Sequence, residues 1–124
     1  MAADRRRAVG QRGEQLATEH LERLGYEILE RNFRTRWGEL DIIARDGSTL
    51  VFCEVKARWD SGDDRSPLES VHPAKRAQVR RMARGWLAQP GRRSFLAQIR
   101  FDAIGVRLDC SGRLTSLEHL QAAF

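Results

Sequence analysis

Several features that mark particular protein classes are scarce or absent in the 124-residue sequence. Its two cysteines, Cys53 and Cys110, are too few for a cysteine-rich zinc site or a disulfide framework. No apolar run approaches the roughly 20 residues that cross a bilayer, and no apolar core follows the basic N-terminus as it would in a secretion signal. The sequence therefore predicts one cytoplasmic domain over residues 1–124, with no membrane partner.

Lysine is also rare, because Lys56 and Lys75 are the only two in the chain. Lys and Arg together number 22 against 17 Asp and Glu, so the formal net charge of +5 comes almost entirely from arginine. The planar guanidinium of arginine suits phosphate groups, which favours a nucleic acid partner. A solvated, arginine-rich surface is the alternative, and charge alone leaves both interpretations open.

Apolar periodicity and turn residues predict the order α-β-β-β-α-β-β. The first helix is expected from about Arg6 to Leu24, and the second from Pro73 to about Gln89. Strands are expected within residues 26–34, 39–44, 49–57, 98–108 and 113–120, with Asp46-Gly47 as a hairpin turn. This order predicts an α/β fold with a mixed central sheet flanked by helices. Residues 1–6 are expected to form a disordered basic N-terminus, and residues 58–72 a mobile loop.

The third predicted strand carries charge where the interior of a sheet should continue. Residues 50–58 read LVFCEVKAR, and strand alternation places Glu54 and Lys56 on the same face as Leu50 and Phe52. Burial of a charge is unfavourable unless the charge is paired or binds a metal. A salt bridge on a half-exposed sheet face is the simplest explanation for an isolated E-x-K pattern.

The preceding strand is acidic as well, which favours a different explanation. Strict alternation would place Glu39 and Asp41 on one face with Ile43, and the hairpin would bring Asp41 level with Glu54. Carboxylates that converge in this way repel one another unless a cation lies between them. Their hard oxygen atoms suit Mg²⁺ or Mn²⁺.

The two predicted helices add further candidate residues. Glu14 borders the apolar face of the first helix and could reach the same cleft, a surface position being the alternative. Lys75 falls on the apolar stripe of the second helix, where a snorkelling side chain is the alternative to a role in the cleft. Arg76, Arg80 and Arg84 form a separate stripe at i, i+4 spacing, which either is solvated or contacts backbone phosphates.

The segments GELDIIA (residues 38–44) and FCEVK (residues 52–56) together resemble the core of the PD-(D/E)XK nuclease superfamily. More closely, the chain resembles the small bacterial YraN-like family, which is similar to archaeal Holliday-junction resolvases. This resemblance covers nearly the whole chain and includes Gly13-Glu14, Lys75 and the RFD segment of residues 100–102. Leu40 stands where the superfamily has the proline of its name.

The resemblance implies a restriction-endonuclease-like enzyme that depends on Mg²⁺ or Mn²⁺ and hydrolyses DNA phosphodiester bonds, on branched or damaged DNA. Asp41 and Glu54 would be the principal metal ligands, assisted by the backbone carbonyl of Val55. Lys56 would be the catalytic lysine, and Glu14 the acid contributed by the first helix.

Two further residues, Glu39 and Lys75, are expected to support this cleft. DNA is expected in preference to RNA, and the resemblance is compatible with a homodimer that cuts two strands. A non-catalytic module that binds nucleic acid or a protein partner on the same scaffold is the alternative function.

Overall fold

The computed structural model describes residues 2–62, 65–92 and 98–124. Within these residues, a five-stranded sheet is accompanied by two α-helices and by short 3-10 helices at Pro67–Ser70 and Pro73–Lys75. The main elements follow one another in the order α1 (Ala2–Arg23), β1 (Glu27–Thr35), β2 (Gly38–Asp46), β3 (Thr49–Trp59), α2 (Arg76–Leu87), β4 (Gln98–Leu108) and β5 (Leu114–Leu120). The predicted α/β class and element order are confirmed.

The strands lie in the order β1-β2-β3-β4-β5 across the sheet. The β1–β2, β2–β3 and β4–β5 pairs are antiparallel, whereas β3 and β4 are parallel, with Thr49 opposite Gln98. A parallel pair needs a crossover connection, and α2 lies within it. Neither helix of the described chain combines the length and apolar character that a bilayer crossing requires.

Each face of the sheet has its own hydrophobic core. Beneath α1 the core contains Val51 and Cys53 of β3, and beneath α2 it contains Leu50 and Phe52. This split follows from the alternation of side chains along a strand. The predicted face assignment for β3 is therefore confirmed, and the two helices lie on opposite faces.

The predicted alternation along β2 is wrong at Leu40. Leu40 and Ile43 both pack in the core beneath α2, whereas Ile42 and Ala44 pack beneath α1. A strand of strict period two cannot place residues 40 and 43 on one face. The β2–β3 pairing runs from Asp46 opposite Thr49 to Ile42 opposite Cys53, and Asp41 lies just beyond it.

The ends of several elements differ from the predictions. Helix α1 begins at Ala2, so residues 2–6 are helical rather than a disordered basic N-terminus. Strand β3 reaches Trp59 and a 3-10 helix occupies Pro67–Ser70, so the predicted loop over residues 58–72 is partly structured. Residues 63 and 64 of that loop lie outside the described residues. Pro73 begins a short 3-10 helix, and α2 itself begins at Arg76.

Gly13 sets the distance between α1 and the sheet. A Cβ atom added at Gly13 would lie 2.3 Å from the Cβ of Ala57 on β3, closer than real side chains approach. Only glycine therefore allows α1 to rest this closely on β3. Glu14 follows Gly13 in the chain, so the close approach of α1 to β3 also brings the Glu14 carboxylate near the sheet.

Candidate metal centre

Three carboxylates from two elements, α1 and β2, meet beside the end of the β2–β3 pairing. One oxygen atom from each of Glu14 on α1, Glu39 on β2 and Asp41 on β2 lies within 4.8 Å of the other two. We call these residues the three-carboxylate cluster. The predictions that Glu14 reaches the cleft and that Glu39 lies beside Asp41 agree with this placement.

The side chain of Asp41 accepts a hydrogen bond from β3 where a backbone carbonyl would accept it if the β2–β3 pairing continued. Its Oδ2 accepts a hydrogen bond from the backbone N–H of Val55 over 2.7 Å. Burial raises the pKa of Asp41 to about 7, although the Val55 N–H opposes this, and the nearby charges of Glu54, Glu14 and Glu39 raise it further. Burial and the three neighbouring carboxylates therefore disfavour a negative charge on Asp41 when no cation is nearby.

Glu14 is held in place by two neighbours on β1. Its Oε1 accepts hydrogen bonds from Asn32 Nδ2 over 2.8 Å and from Arg31 Nε over 3.1 Å. Asn32 has a positive φ of 57°, a conformation that asparagine tolerates better than most residues. This local conformation accompanies the contact between the Asn32 amide and α1.

Glu54 is engaged by both lysines of the chain. Lys75 Nζ lies 3.0 Å, and Lys56 Nζ 3.2 Å, from Glu54 Oε1. The other oxygen, Oε2, is buried and has no hydrogen-bond partner among the described residues. A buried, unpartnered carboxylate oxygen is unfavourable, and a bound cation would satisfy it.

Two cavities flank the cluster, and Glu39 lines both. The larger, of about 720 Å³, lies towards α1 and includes Glu14, Asp41 and Val55 in its lining. The smaller, of about 190 Å³, lies towards α2 and includes Glu54 and Lys75. We refer to the two cavities together as the acidic cleft.

The structure thus brings the predicted residues together in two groups. The three-carboxylate cluster forms one, and Glu54 with Lys56 and Lys75 forms the other. The charge of Glu54 raises the pKa of Asp41, and Val55, next to Glu54 in the chain, donates to Asp41, so the groups adjoin. Joint binding of one ion by Asp41 and Glu54 stays a prediction.

The predicted arginine stripe lies apart from the cleft. Arg76, Arg80 and Arg84 are exposed on α2 and line a cavity of about 590 Å³ that shares no lining residue with the acidic cleft. Contact between these arginines and phosphates stays a prediction.

Sequence reasoning missed several residues of the cleft. Arg6 and Arg7 line the larger cavity, two turns of α1 before Glu14, and helical spacing alone could have placed them on its face. Gln78 lines the smaller cavity, one turn after Lys75. Arg31 contacts Glu14 only because β1 packs beside α1, which no local sequence signal indicates.

The donor set fits a hard divalent cation. The three-carboxylate cluster and Glu54 Oε2 supply oxygen atoms only, which suits Mg²⁺ or Mn²⁺ rather than metals that prefer sulfur or imidazole. A cation would also offset the burial of Asp41 among carboxylates and would satisfy the unpartnered oxygen of Glu54.

Comparison with known proteins places the chain among relatives of similar length. Residues 13–106 match the model of the uncharacterised protein family UPF0102. A UPF0102 protein of Geobacter metallireducens is 46% identical over 118 residues, covering 95% of this chain and 93% of that protein. Another from Mycobacterium avium is 48% identical over 115 residues, covering 91% and 87%. A third, from Acidothermus cellulolyticus, is 44% identical and covers 98% and 97%.

Proposed function

The chain belongs to the uncharacterised protein family UPF0102, and we propose that it is a metal-dependent endonuclease that hydrolyses phosphodiester bonds in DNA. The observation that carries the proposal is the three-carboxylate cluster beside Glu54, whose Oε2 has no partner among the described residues. The resemblance of GELDIIA and FCEVK to the PD-(D/E)XK core supports the same conclusion.

Carboxylate oxygens of Glu14, Glu39, Asp41 and Glu54 would hold the cation, with the carbonyl of Val55 as a further expected ligand. When bound, Mg²⁺ or Mn²⁺ would neutralise charge on a phosphate oxygen and acidify a water molecule. These residues would thereby fix the scissile phosphate against β3.

Lys56 has a separate role in the proposal. Its ammonium lies 3.2 Å from Glu54 Oε1 and so stands beside the acidic cleft, although Lys56 is not among the residues that line the cleft. A lysine at this position would orient the attacking water and stabilise the charge that develops on the phosphate. Lys75, which contacts the same Glu54 oxygen at 3.0 Å, would hold that carboxylate in position.

The proposed substrate is branched or damaged DNA, as the resolvase-like resemblance suggests. The arginine stripe would contact backbone phosphates, which fix the position of a duplex without reading its sequence. Action on DNA in the cytoplasm, and a homodimer that cuts two strands, belong to the same proposal.

The test is cleavage of end-labelled branched and linear DNA with Mg²⁺ or Mn²⁺. We expect Asp41→Asn and Lys56→Met each to reduce cleavage by at least about 100-fold, since each removes a group that acts on the transition state. Glu22→Gln, an exposed acid on α1, is the matched control and should cleave like the wild type. Cleavage that survives in both site variants would refute the proposal.

Binding without cleavage would instead indicate the alternative function. A non-catalytic module should bind nucleic acid in a salt-sensitive manner that neither divalent metal nor Asp41→Asn alters. Calorimetric titration of the protein with Mn²⁺, with Asp41→Asn as the control, separates the two functions, because only the nuclease requires an Asp41-dependent metal site.

A further inference from the structure

A further cavity adjoins Lys56 on the side away from Glu54. It has a volume of about 420 Å³ and lies between the end of β3 and the segment that contains the first 3-10 helix. Its lining residues are Lys56, Ala57, Arg58, Arg65, Ser66, Pro67 and Glu69. Three of these residues are cationic and one is acidic, so we call this cavity the basic pocket.

Strand geometry accounts for one wall of the basic pocket. Glu54, Lys56 and Arg58 follow one another at every second position of β3 and therefore share a face. Each two-residue step advances about 7 Å along the strand. Along this face of β3, the carboxylate of Glu54 lies at the acidic cleft, the ammonium of Lys56 follows, and the guanidinium of Arg58 lies at the basic pocket.

The opposite wall is anchored to the sheet. Leu68 packs so closely on Gly105 of β4 that a Cβ atom there would lie 3.0 Å from Leu68 Cγ. Arg107 of β4 donates a hydrogen bond to the backbone carbonyl of Arg65. Ser66 Oγ accepts a hydrogen bond from the backbone N–H of Leu68 over 3.0 Å and so caps the 3-10 helix.

Arg58 provides the observation that points to a ligand. Its Nη2 is buried and has no hydrogen-bond partner among the described residues. Glu69 lines the same pocket, yet no ion pair joins it to Arg58 in the described part of the chain. A guanidinium stays charged at every physiological pH, so a buried, unpaired N–H of this kind calls for an anionic acceptor.

We propose that the basic pocket binds the phosphate next to the scissile phosphate on the substrate strand, with Arg58 as its principal donor. This inference rests on the proposed function, because the scissile phosphate is taken to lie at the acidic cleft. Phosphate matches the pocket because the guanidinium fork can donate two N–H groups to its oxygens. The Lys56 ammonium then lies between the two phosphates and contacts the strand on both sides.

The first experiment tests the basic pocket without reference to cleavage. Nitrogen-15 NMR of the arginine side chains follows titration with the phosphodiester thymidylyl-thymidine and, separately, with inorganic phosphate. We expect the Arg58 signal to shift with the phosphodiester, and Arg58→Gln to weaken binding about tenfold, as for loss of a charged hydrogen bond. The exposed Arg113→Gln serves as the matched control and should bind like the wild type.

Two results of this titration would overturn the inference. Equal binding by wild type and Arg58→Gln would show that Arg58 is not the donor. Binding of inorganic phosphate without binding of the phosphodiester would assign the pocket to a small phosphate ligand rather than to a nucleic acid strand.

The second experiment uses DNA in which a single neutral methylphosphonate replaces the phosphate beside the cleavage point. We expect this replacement and Arg58→Gln each to lower kcat/KM about tenfold, and their combination to lower it no further, because both remove one contact. Fully additive losses would contradict the assignment. Absence of cleavage by the wild type would refute the proposed function, while the titration would still decide whether the pocket binds a phosphodiester.

Discussion

The backbone N–H of Val55 donates a hydrogen bond to Asp41 Oδ2 over 2.7 Å, although the β2–β3 pairing has already ended at Ile42 and Cys53. The carboxylate of Asp41 thus replaces a backbone carbonyl as the hydrogen-bond acceptor just beyond the last β2–β3 residue pair. The two strands stay joined at this point, and a carboxylate rather than an apolar side chain occupies the junction. Asp41 therefore has a structural role in addition to its expected role as a metal ligand.

Asp41→Asn should separate these two roles. Without metal, the variant should be at least as stable as the wild type, because it removes a charge that burial and three neighbouring carboxylates disfavour. The asparagine Oδ1 can still accept the Val55 hydrogen bond. With Mg²⁺ or Mn²⁺, only the wild type should gain stability, since a ligand that binds the folded state raises Tm. Differential scanning calorimetry with and without metal measures both effects.

Glu22→Gln is the control for this comparison, because it removes an exposed carboxylate from α1. Its metal-dependent change in Tm should equal that of the wild type. A metal-dependent gain that persists in Asp41→Asn would place the ion elsewhere.

Gly13→Ala should destabilise the protein by about 1–3 kcal/mol, because the added methyl group would overlap the Cβ of Ala57. Gly10→Ala is the matched control on the same helix, since a Cβ atom at Gly10 would meet no atom within 4 Å. Helix propensity predicts that this control is neutral or stabilising by up to about 1 kcal/mol. Urea unfolding of both variants measures the difference.

The close approach at Gly13 also predicts a partial rescue. Ala57→Gly removes the group with which the new methyl would overlap, so the double variant should lose less stability than the two single changes together. Simple additivity would show that the crowding arises at another contact.

A buried polar network joins α1 to the C-terminal strands. His119 Nε2 lies 2.8 Å from Asp102 Oδ2, and His119 Nδ1 lies 3.1 Å from His20 Nε2. Arg100 donates to the same Asp102 carboxylate and to Tyr26. Burial opposes the charge of Asp102, but hydrogen bonds from His119, Arg100 and the Ala122 N–H outweigh it and lower the pKa of Asp102.

Stability should consequently fall on acidification. Burial, followed by the charges of His119 and Arg23, lowers the pKa of His20 below its ordinary value of 6.5. The folded state therefore binds fewer protons at His20 than the unfolded state, and stability present above pH 6.5 is lost as the pH falls through the folded value. Asp102 adds a second loss below its ordinary value of 3.8, because its pKa is also lowered by folding.

Denaturant midpoints measured between about pH 8 and about pH 5 test the histidine contribution, since that interval spans the ordinary titration of histidine. His20→Gln should flatten the decline, because the replacement does not titrate. The exposed His72→Gln should leave the decline unchanged. An unaltered slope in His20→Gln would show that other groups govern the acid sensitivity.

The arginine stripe should contribute to DNA affinity through phosphates alone. Arg84→Gln should weaken binding similarly for all DNA sequences and reduce the slope of log affinity against log salt by about 0.9, the value for one lost phosphate contact. Fluorescence anisotropy over a range of salt concentrations measures this slope. Arg113→Gln, at the turn before β5, is the control. An equal effect in both variants would show that the arginine stripe contributes only as general surface charge.

The fold was predictable because its signals are local. Alternation along β3 gave the correct faces for Leu50 and Phe52, and Asp46-Gly47 marked the hairpin between β2 and β3. The prediction of which face Leu40 occupies failed for a physical reason. Alternation of apolar and polar residues does not indicate where the backbone pairing of two strands ends and a side chain accepts the next hydrogen bond instead.

The sequence indicated which residues form the candidate site, but it did not indicate which of them contact one another. Glu14 and Asp41 could be nominated from their positions on a helix face and a strand. The pairing of Lys75 with Glu54 depends on how α2 crosses the sheet. Arg31 reaches Glu14 only through the packing of β1 beside α1, which is a tertiary contact.

The parallel pairing of β3 with β4 has a consequence for how the chain folds. Thr49 and Gln98 are paired although about 50 residues separate them, so this edge can form only after a long loop closes. Glu14, Glu39, Asp41 and Glu54 all leave the ribosome before β4 does, at a stage when β3 still has one unpaired edge. Nascent chains that stall before β4 should therefore be prone to self-association through that edge, and charge at Glu54 and Lys56 opposes it during synthesis.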